Sequence, residues 1–239
     1  MKNDITYYKN KSIFVSATNT DVGKTYACEK FLNYFAKNGL KVGYFKPCET
    51  GVINNKPLDG TKIFELVKKL NPNFEKLSIN DVVPYQFELP AAPYIASQYT
   101  NIDIEFLKEK KKYLQSFCDI LIIEGAGGLM VPLKKDIFMI DLINIFDSLA
   151  FFITPSKLGC INDTLLSIEA LKNRNINFEF FINLYMGYSI YYERFVMSVH
   201  SLIESWLSET TLVMGGSRTL NGRLLFHALR GHYPDFRGS

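Results

Sequence analysis

Short apolar runs alternate along this chain with segments whose apolar positions recur every three or four residues. Residues 12–18, SIFVSAT, form a β-rich run that ends at a glycine–lysine turn. In the next segment, KTYACEKFLNYFAKNG, Ala27, Phe31, Tyr34 and Phe35 fall at the spacing of one helical face. Gly39 then stands where a helix C-terminal glycine is expected. KVGYFKP predicts a second strand, stopped by Pro47. Strand, loop, helix and strand in that order make one right-handed crossover unit of a parallel sheet.

The alternation continues. Helices are predicted over residues 58–70, 103–117, 162–173 and 191–207, with an irregular connection over 84–93. DILIIEG, residues 119–125, is almost continuously apolar, as a strand buried on both faces is. Further strands are predicted at 149–154 and 178–183. The sum is an α/β fold, a doubly wound and mostly parallel sheet with helices on both sides.

Composition narrows the functional classes. A chain of 239 residues fits one α/β domain, since single domains of this kind often exceed ~200 residues. At 47% hydrophobic and 21% charged it has the balance of a soluble protein with a substantial core. A net charge of +3 argues for neither nucleic acid nor a membrane surface as partner. The opening MKNDITYYKN has no apolar run of signal-peptide type, and the most apolar segment, 149–155, is too short to cross a bilayer. Cys28, Cys48, Cys118 and Cys160 stand far apart without C-x-x-C spacing, which suits a reducing compartment and gives no structural zinc site. A cytoplasmic location is the expectation.

Residues 209–239 differ from the rest. They hold no lysine, four of the six arginines and five of the 15 glycines. They read either as a segment of different origin, such as an altered reading frame, or as a native C-terminal subdomain of unusual composition. The functional unit is expected within residues 1–208.

Candidate chemistry gathers at the ends of the predicted strands. DVGKT, residues 21–25, lies at a strand-to-helix turn, where unpaired helix-start amides and the helix dipole favour a phosphate. There Gly23 lets backbone approach a phosphate, Lys24 neutralises its charge and Thr25 offers a hydroxyl to Mg²⁺. An ordinary helix start with a solvated lysine is the plainer alternative, and the flanking strand and amphipathic helix weigh against it. The usual pattern is G-x-x-x-x-G-K-[ST], however, and its first glycine falls on Thr18. In IIEGAGG, Glu124 ends a buried strand beside that loop, placed to hold Mg²⁺ directly or through water. Lys46 in KPCETG, at the end of the second strand, either points into the same crevice or is a surface lysine before a turn, the plainer reading when it is taken alone. Asp59 in PLDG either completes a metal site or caps the helix that follows. KLGCIND, residues 157–163, precedes a predicted helix and offers either a carboxylate cradle or a capped helix start.

Together these segments resemble one family. SATNTDVGKT is similar to the G-T-x-T-x-V-G-K-T loop of dethiobiotin synthetases, in which threonine stands where other phosphate loops carry their first glycine. KPCETG, LDG, VPYQFELPAAP, IIEGAGG, PLKKD and KLGCIND follow in that family's order and spacing, over about residues 12 to 185. The resemblance implies that ATP, Mg²⁺, CO₂ and 7,8-diaminononanoate give dethiobiotin, ADP and phosphate. A substrate amine captures CO₂ as a carbamate, the carbamate attacks the γ-phosphorus, and the second amine opens the mixed anhydride to close a cyclic urea. A carbamate anion must therefore meet a triphosphate in a dry site, so positive charge must converge there.

By resemblance, Lys46 and Lys24 are the catalytic cations, and Thr25, Asp59 and Glu124 are the Mg²⁺ ligands. Asp21, Val22, Gly23, Lys24, Thr25 and Tyr26 form the nucleotide-phosphate segment, continued by Gly125, Ala126 and Gly127, and Asn183 meets the adenine. Thr50 touches the diamine. The family's homodimer places the substrate at the subunit boundary, where Gly159, Cys160, Ile161 and Asn162 of the other subunit hold its carboxylate. The phosphate loop and EGAGG are shared with cobyrinate-type amidoligases. A glutaminase domain is missing from so short a chain, and the additional lysine of partitioning-type ATPases is absent from residues 16–19. These two classes remain the alternatives. His200, His227 and His232 all lie outside the motifs, which leaves no histidine for general-base or triad chemistry.

The chain departs from the family pattern at Ala17, where a glycine is usual, and at Leu184, where aspartate often follows the asparagine. The later G-x-I-P-type segment that walls the adenine pocket is not found. Phosphate contacts are thus kept while base contacts are depleted. Assays at equal ATP and CTP concentration are expected to give comparable turnover, and a strong preference for ATP would contradict this.

Overall fold

A computed structural model describes residues 5–99, 102–155 and 157–183. The predicted helix over 191–207, Leu184 and residues 209–239 lie outside the described residues. At the centre is a five-stranded sheet whose spatial order is β2 (Val42–Phe45), β5 (Ile120–Glu124), β1 (Lys11–Ala17), β8 (Leu149–Pro155) and β9 (Phe178–Asn183). All four pairings are parallel. From β1 the chain passes to the edge at β2, fills the gap with β5, and then crosses to β8 and β9. The order therefore reverses beside β1, the place where sheets of this type bind ligands outside the strands' carboxyl ends.

The long elements follow the hydrophobic pattern. Helix α1 (Lys24–Lys37) buries Ala27, Phe31 and Phe35 as predicted, and also Cys28 and Leu32. Gly39, at φ 87°, sits one position beyond its C-cap Asn38. Helix α2 (Leu58–Leu70) spans the predicted residues, and β5 is buried along its whole length. Helix α5 (Ile104–Gln115) begins after Asp103, whose carboxylate accepts from the amides of Glu105 and Phe106 and so caps the helix. Helix α7 (Cys160–Lys172) begins two residues before the predicted start, because Gly159 at φ 90° takes the N-cap position. Phe31 packs edge-on against Phe151 and Phe181, which stack on each other, so one aromatic cluster joins α1 to β8 and β9.

The short elements correct the sequence reading. Residues 84–93 are not wholly irregular: they contain β4 (Tyr85–Phe87), which pairs in parallel with β3 (Cys48–Thr50). That small sheet continues the chain immediately past Lys46. Helices α3 (Ile79–Val82), α4 (Pro93–Ala96) and α6 (Asp141–Ile145) and the antiparallel pair β6 (Pro132–Lys134) and β7 (Ile137–Phe138) complete the framework. Buried Asn71 ties it together by donating to the carbonyls of Val42 and Phe117, at 2.9 and 3.0 Å. Among the described residues, no helix is long and apolar enough to cross a membrane.

Glu179 on β9 is half-buried and lies within electrostatic reach of Tyr8. Burial pushes its carboxyl up to about 7, and burial together with Glu179 pushes the Tyr8 hydroxyl up to about 12. A carboxyl raised in the folded state favours folding most below its ordinary value near 4.5, and that contribution is lost as pH rises through about 7. Glu179→Gln is therefore expected to raise the melting temperature at pH 8 and to change it much less at pH 5. An equal shift at both values would show that the carboxyl titrates normally.

Candidate active site

Strand register builds the site. Phe45 pairs with Ile123 and Val15 pairs with Glu124, so Lys46, one step beyond β2, emerges beside Glu124 at the end of β5. The Lys46 Nζ lies 3.0 Å from Glu124 Oε1, with both side chains buried. Thr25, in the first turn of α1, donates its hydroxyl to the same Oε1 at 2.8 Å, and Tyr44 donates to Oε2 at 2.8 Å. Three elements, β2, β5 and α1, thus meet on one carboxylate.

Two more carboxylates surround Lys46. Asp59 Oδ2 lies 3.1 Å from Nζ and Glu49 Oε2 3.6 Å. Asp59 sits inside the first turn of α2 and does not cap it; the cap is supplied from a distance by Glu49. Its two oxygens accept from the amides of Asp59 at 3.1 Å and Gly60 at 2.8 Å, while the N-cap Pro57 provides no side-chain acceptor. Burial on its own lowers the Lys46 pKa, but the charges of Glu124, Glu49 and Asp59 outweigh it and hold the ammonium above the ordinary lysine range. Burial raises the Glu49 carboxyl, opposed by Lys46 and by the two amides.

The phosphate loop lies against this cluster. Gly23 adopts φ 100°, and a methyl group added there would collide with the side-chain amide of Asn183. Asn183 in turn donates to the Val22 carbonyl at 2.9 Å, which binds the end of β9 to the loop. Lys24 folds back to donate to the Asn19 carbonyl at 2.9 Å. Burial lowers its pKa, Glu124 opposes this and Lys46 adds to it, so Lys24 shares the field of the same carboxylate. Asp21 is exposed at φ 57°, Val22 is buried, and Tyr26 lies under the Lys30 ammonium. The Thr18 hydroxyl is buried without a hydrogen-bond partner among the described residues.

After Glu124 the backbone doubles back. The Gly125 amide is committed to the Val15 carbonyl at 3.0 Å, Ala126 is half-buried, and Gly127 turns at φ 67°. Gly128 makes the tightest approach to the loop: an added Cβ would lie 2.7 Å from the Thr18 carbonyl oxygen. Thr50 is half-buried on β3. Gly159, Cys160, Ile161 and Asn162 stand at the start of α7, and among the described residues no hydrogen bond or ion pair joins them to Lys24, Lys46 or Glu124. The Cys160 amide is already donated to the Lys157 carbonyl at 3.0 Å, so that helix start keeps one amide fewer for a ligand. Sequence reasoning assigned no role to Glu49, Tyr44 or Gly128. Glu49 was visible as the carboxylate of KPCETG and Gly128 as the last glycine of EGAGG, whereas Tyr44 looked like any strand residue.

The Thr25 hydroxyl and the Asp59 and Glu124 carboxylates supply only hard oxygen donors, the chemistry that magnesium takes. Two of the three already hold a cation, the Lys46 ammonium. The donor set fits that ion.

Known proteins are similar to this chain. A family model described as an AAA domain matches residues 11–182. The ATP-dependent dethiobiotin synthetase of Sulfurovum sp. (strain NBC37-1) is 52% identical over 174 residues, covering 73% of this chain and 82% of that protein. The synthetase of the same name from Wolinella succinogenes is 37% identical over 177 residues, covering 73% and 81%. Among solved structures, a GTPase from Pyrococcus abyssi has a TM-score of 0.50 at 13% identity, covering 77% of this chain and 71% of that one. That likeness shows the fold alone, a parallel sheet flanked by helices. The identities reach much further, and on them the chain belongs to the ATP-dependent dethiobiotin synthetase family.

Proposed function

We propose that this protein joins CO₂ to 7,8-diaminononanoate at the expense of ATP, forming the cyclic urea of dethiobiotin with release of ADP and phosphate. The observation that carries the proposal is the meeting of Lys46, Glu124 and Thr25 at the carboxyl ends of β2 and β5 and the start of α1. Family membership supplies the substrates; this contact supplies the chemistry. In the proposed reaction one amine of the diamine adds to CO₂ and loses a proton to become a carbamate. A carbamate oxygen bonds to the γ-phosphorus as the bond to ADP breaks. The second amine then bonds to the carbamate carbon and gives up a proton to solvent, the bond from that carbon to the phosphate oxygen breaks, phosphate leaves, and the ring closes.

The protein's part is to let two anions approach. Lys24 reaches the outer phosphates once it leaves the Asn19 carbonyl, and Lys46 faces the carbamate oxygen and the transferring phosphoryl group. Val22, Gly23, Lys24 and Thr25, at the start of α1, direct backbone amides at the phosphates, with Asp21 and Tyr26 flanking them. Thr25, Asp59 and Glu124 would hold Mg²⁺, which when bound neutralises phosphate charge. Asn183 borders the nucleotide base, Gly125, Ala126 and Gly127 wall the phosphate side, and Thr50 borders the diamine. Gly159, Cys160, Ile161 and Asn162 reach the substrate carboxylate from the second subunit of a cytoplasmic homodimer. Residues 209–239 stand outside this functional unit.

A product assay with diaminononanoate, bicarbonate, ATP and Mg²⁺ tests the proposal. The intact chain is expected to yield a cyclic urea, and the chain without residues 209–239 to do the same. Lys46→Ala is expected to lower kcat by about 10²–10³-fold, the usual loss when one charge-stabilising donor is removed. Absence of the urea from the intact protein would overturn the function. Full activity in a folded Lys46→Ala protein would overturn the mechanism.

A further inference from the structure

The three carboxylates around Lys46 are not equivalent. Asp59 and Glu124 belong to the proposed magnesium site, on which this inference rests, and both are in contact with the ammonium. A divalent ion placed between them meets a positive charge already seated on the same oxygens. Like charges sharing these carboxylates repel, strongly at buried Glu124 and less at half-exposed Asp59, and the repulsion drives the ammonium toward another acceptor. Glu49 is the acceptor that remains. It is buried, and its oxygens are committed to the Asp59 and Gly60 amides of α2. Its Oε2 lies 3.6 Å from Nζ, close enough that a small shift of the lysine makes a direct bond. Those two amides fix the Glu49 carboxylate to the helix that carries Asp59, so it keeps its place while the ion enters.

We propose that Glu49 is a positioning residue that receives the Lys46 ammonium when a divalent ion takes Asp59 and Glu124, and so keeps that charge beside the reacting groups. Without Glu49, Lys46 has no other buried carboxylate within 4 Å among the described residues, and it competes with the ion for the same two carboxylates. The carboxylate also presets Asp59 through the α2 amides. That second action depends on the helix alone, and the two are separable by removing the lysine.

Mn²⁺ binding, read by electron paramagnetic resonance on the protein saturated with a non-hydrolysable ATP analogue, distinguishes them. Glu49→Gln is expected to weaken Mn²⁺ at least threefold, and Lys46→Met to tighten it. In the Lys46→Met background the Glu49→Gln change is expected to lose most of its effect. A change below threefold in the single variant, an equally large change in the Lys46→Met background, or no tightening in Lys46→Met would each overturn the proposal. Should Glu49→Gln fail to fold, Glu49→Asp, which draws the charge back by one methylene, is read by the same criteria. The binding assay contains neither diamine nor CO₂. A wild-type protein that binds Mn²⁺ as expected but forms no urea would therefore overturn the function and leave this inference standing. A wild-type complex that binds no Mn²⁺ would overturn the inference.

Discussion

An ammonium and a carboxylate taken out of water together, Lys46 and Glu124 at 3.0 Å, govern the arrangement of everything near them. Removing such charges from solvent costs several kcal/mol per ion, and their attraction offsets this only when the remaining donors and acceptors are also satisfied. Here they are. Thr25 and Tyr44 complete Glu124, and Asp59 and Glu49 attend Lys46. A buried ion pair is weak support for stability as such, since apolar residues of similar volume often serve a fold equally well. This one lies where the strand order reverses, and the proposed active site rests on that placement.

The pair also explains why the surrounding backbone is so closely defined. Glu124 must arrive at the end of β5 in register with Val15, and Lys46 must follow directly on β2. A one-residue slip of either strand would turn the charge to the opposite face of the sheet. Gly125 locks the register by spending its amide on the Val15 carbonyl, and β3 with β4 then carries the chain away from Lys46 along a fixed path. Small three-residue strands that bury little apolar surface thus matter here for direction.

Much of this was legible in the sequence. Long apolar runs and helical spacing located β1, β2, β5, β8, β9 and the helices α1, α2 and α5, because burial on one or both faces writes a period into the chain. The pieces that escaped were too short to carry a period, among them β3, β4 and α6. In the site, the placement of residues within a motif was readable because it is local: Gly23, Lys24 and Thr25 fall at the start of α1, as the turn they occupy dictates. Tyr44 and Glu49 act across distance in sequence. One reaches Glu124 on a neighbouring strand, and the other caps a helix that begins nine residues later. Such roles come from register and packing, which no single segment encodes. The early start of α7 escaped for a related reason, since Gly159 at a left-handed angle replaces the side-chain cap that would have marked it.

The phosphate loop differs from the common pattern by a threonine at position 18, yet the crowding that usually demands a glycine has not disappeared. It has moved to the facing segment, where the carbonyl of Thr18 presses on Gly128. Two peptide segments that must nearly touch need only one bare α-carbon between them, and either side can provide it. In this chain the last glycine of EGAGG therefore bears the contact, and any side chain there would push the two segments apart.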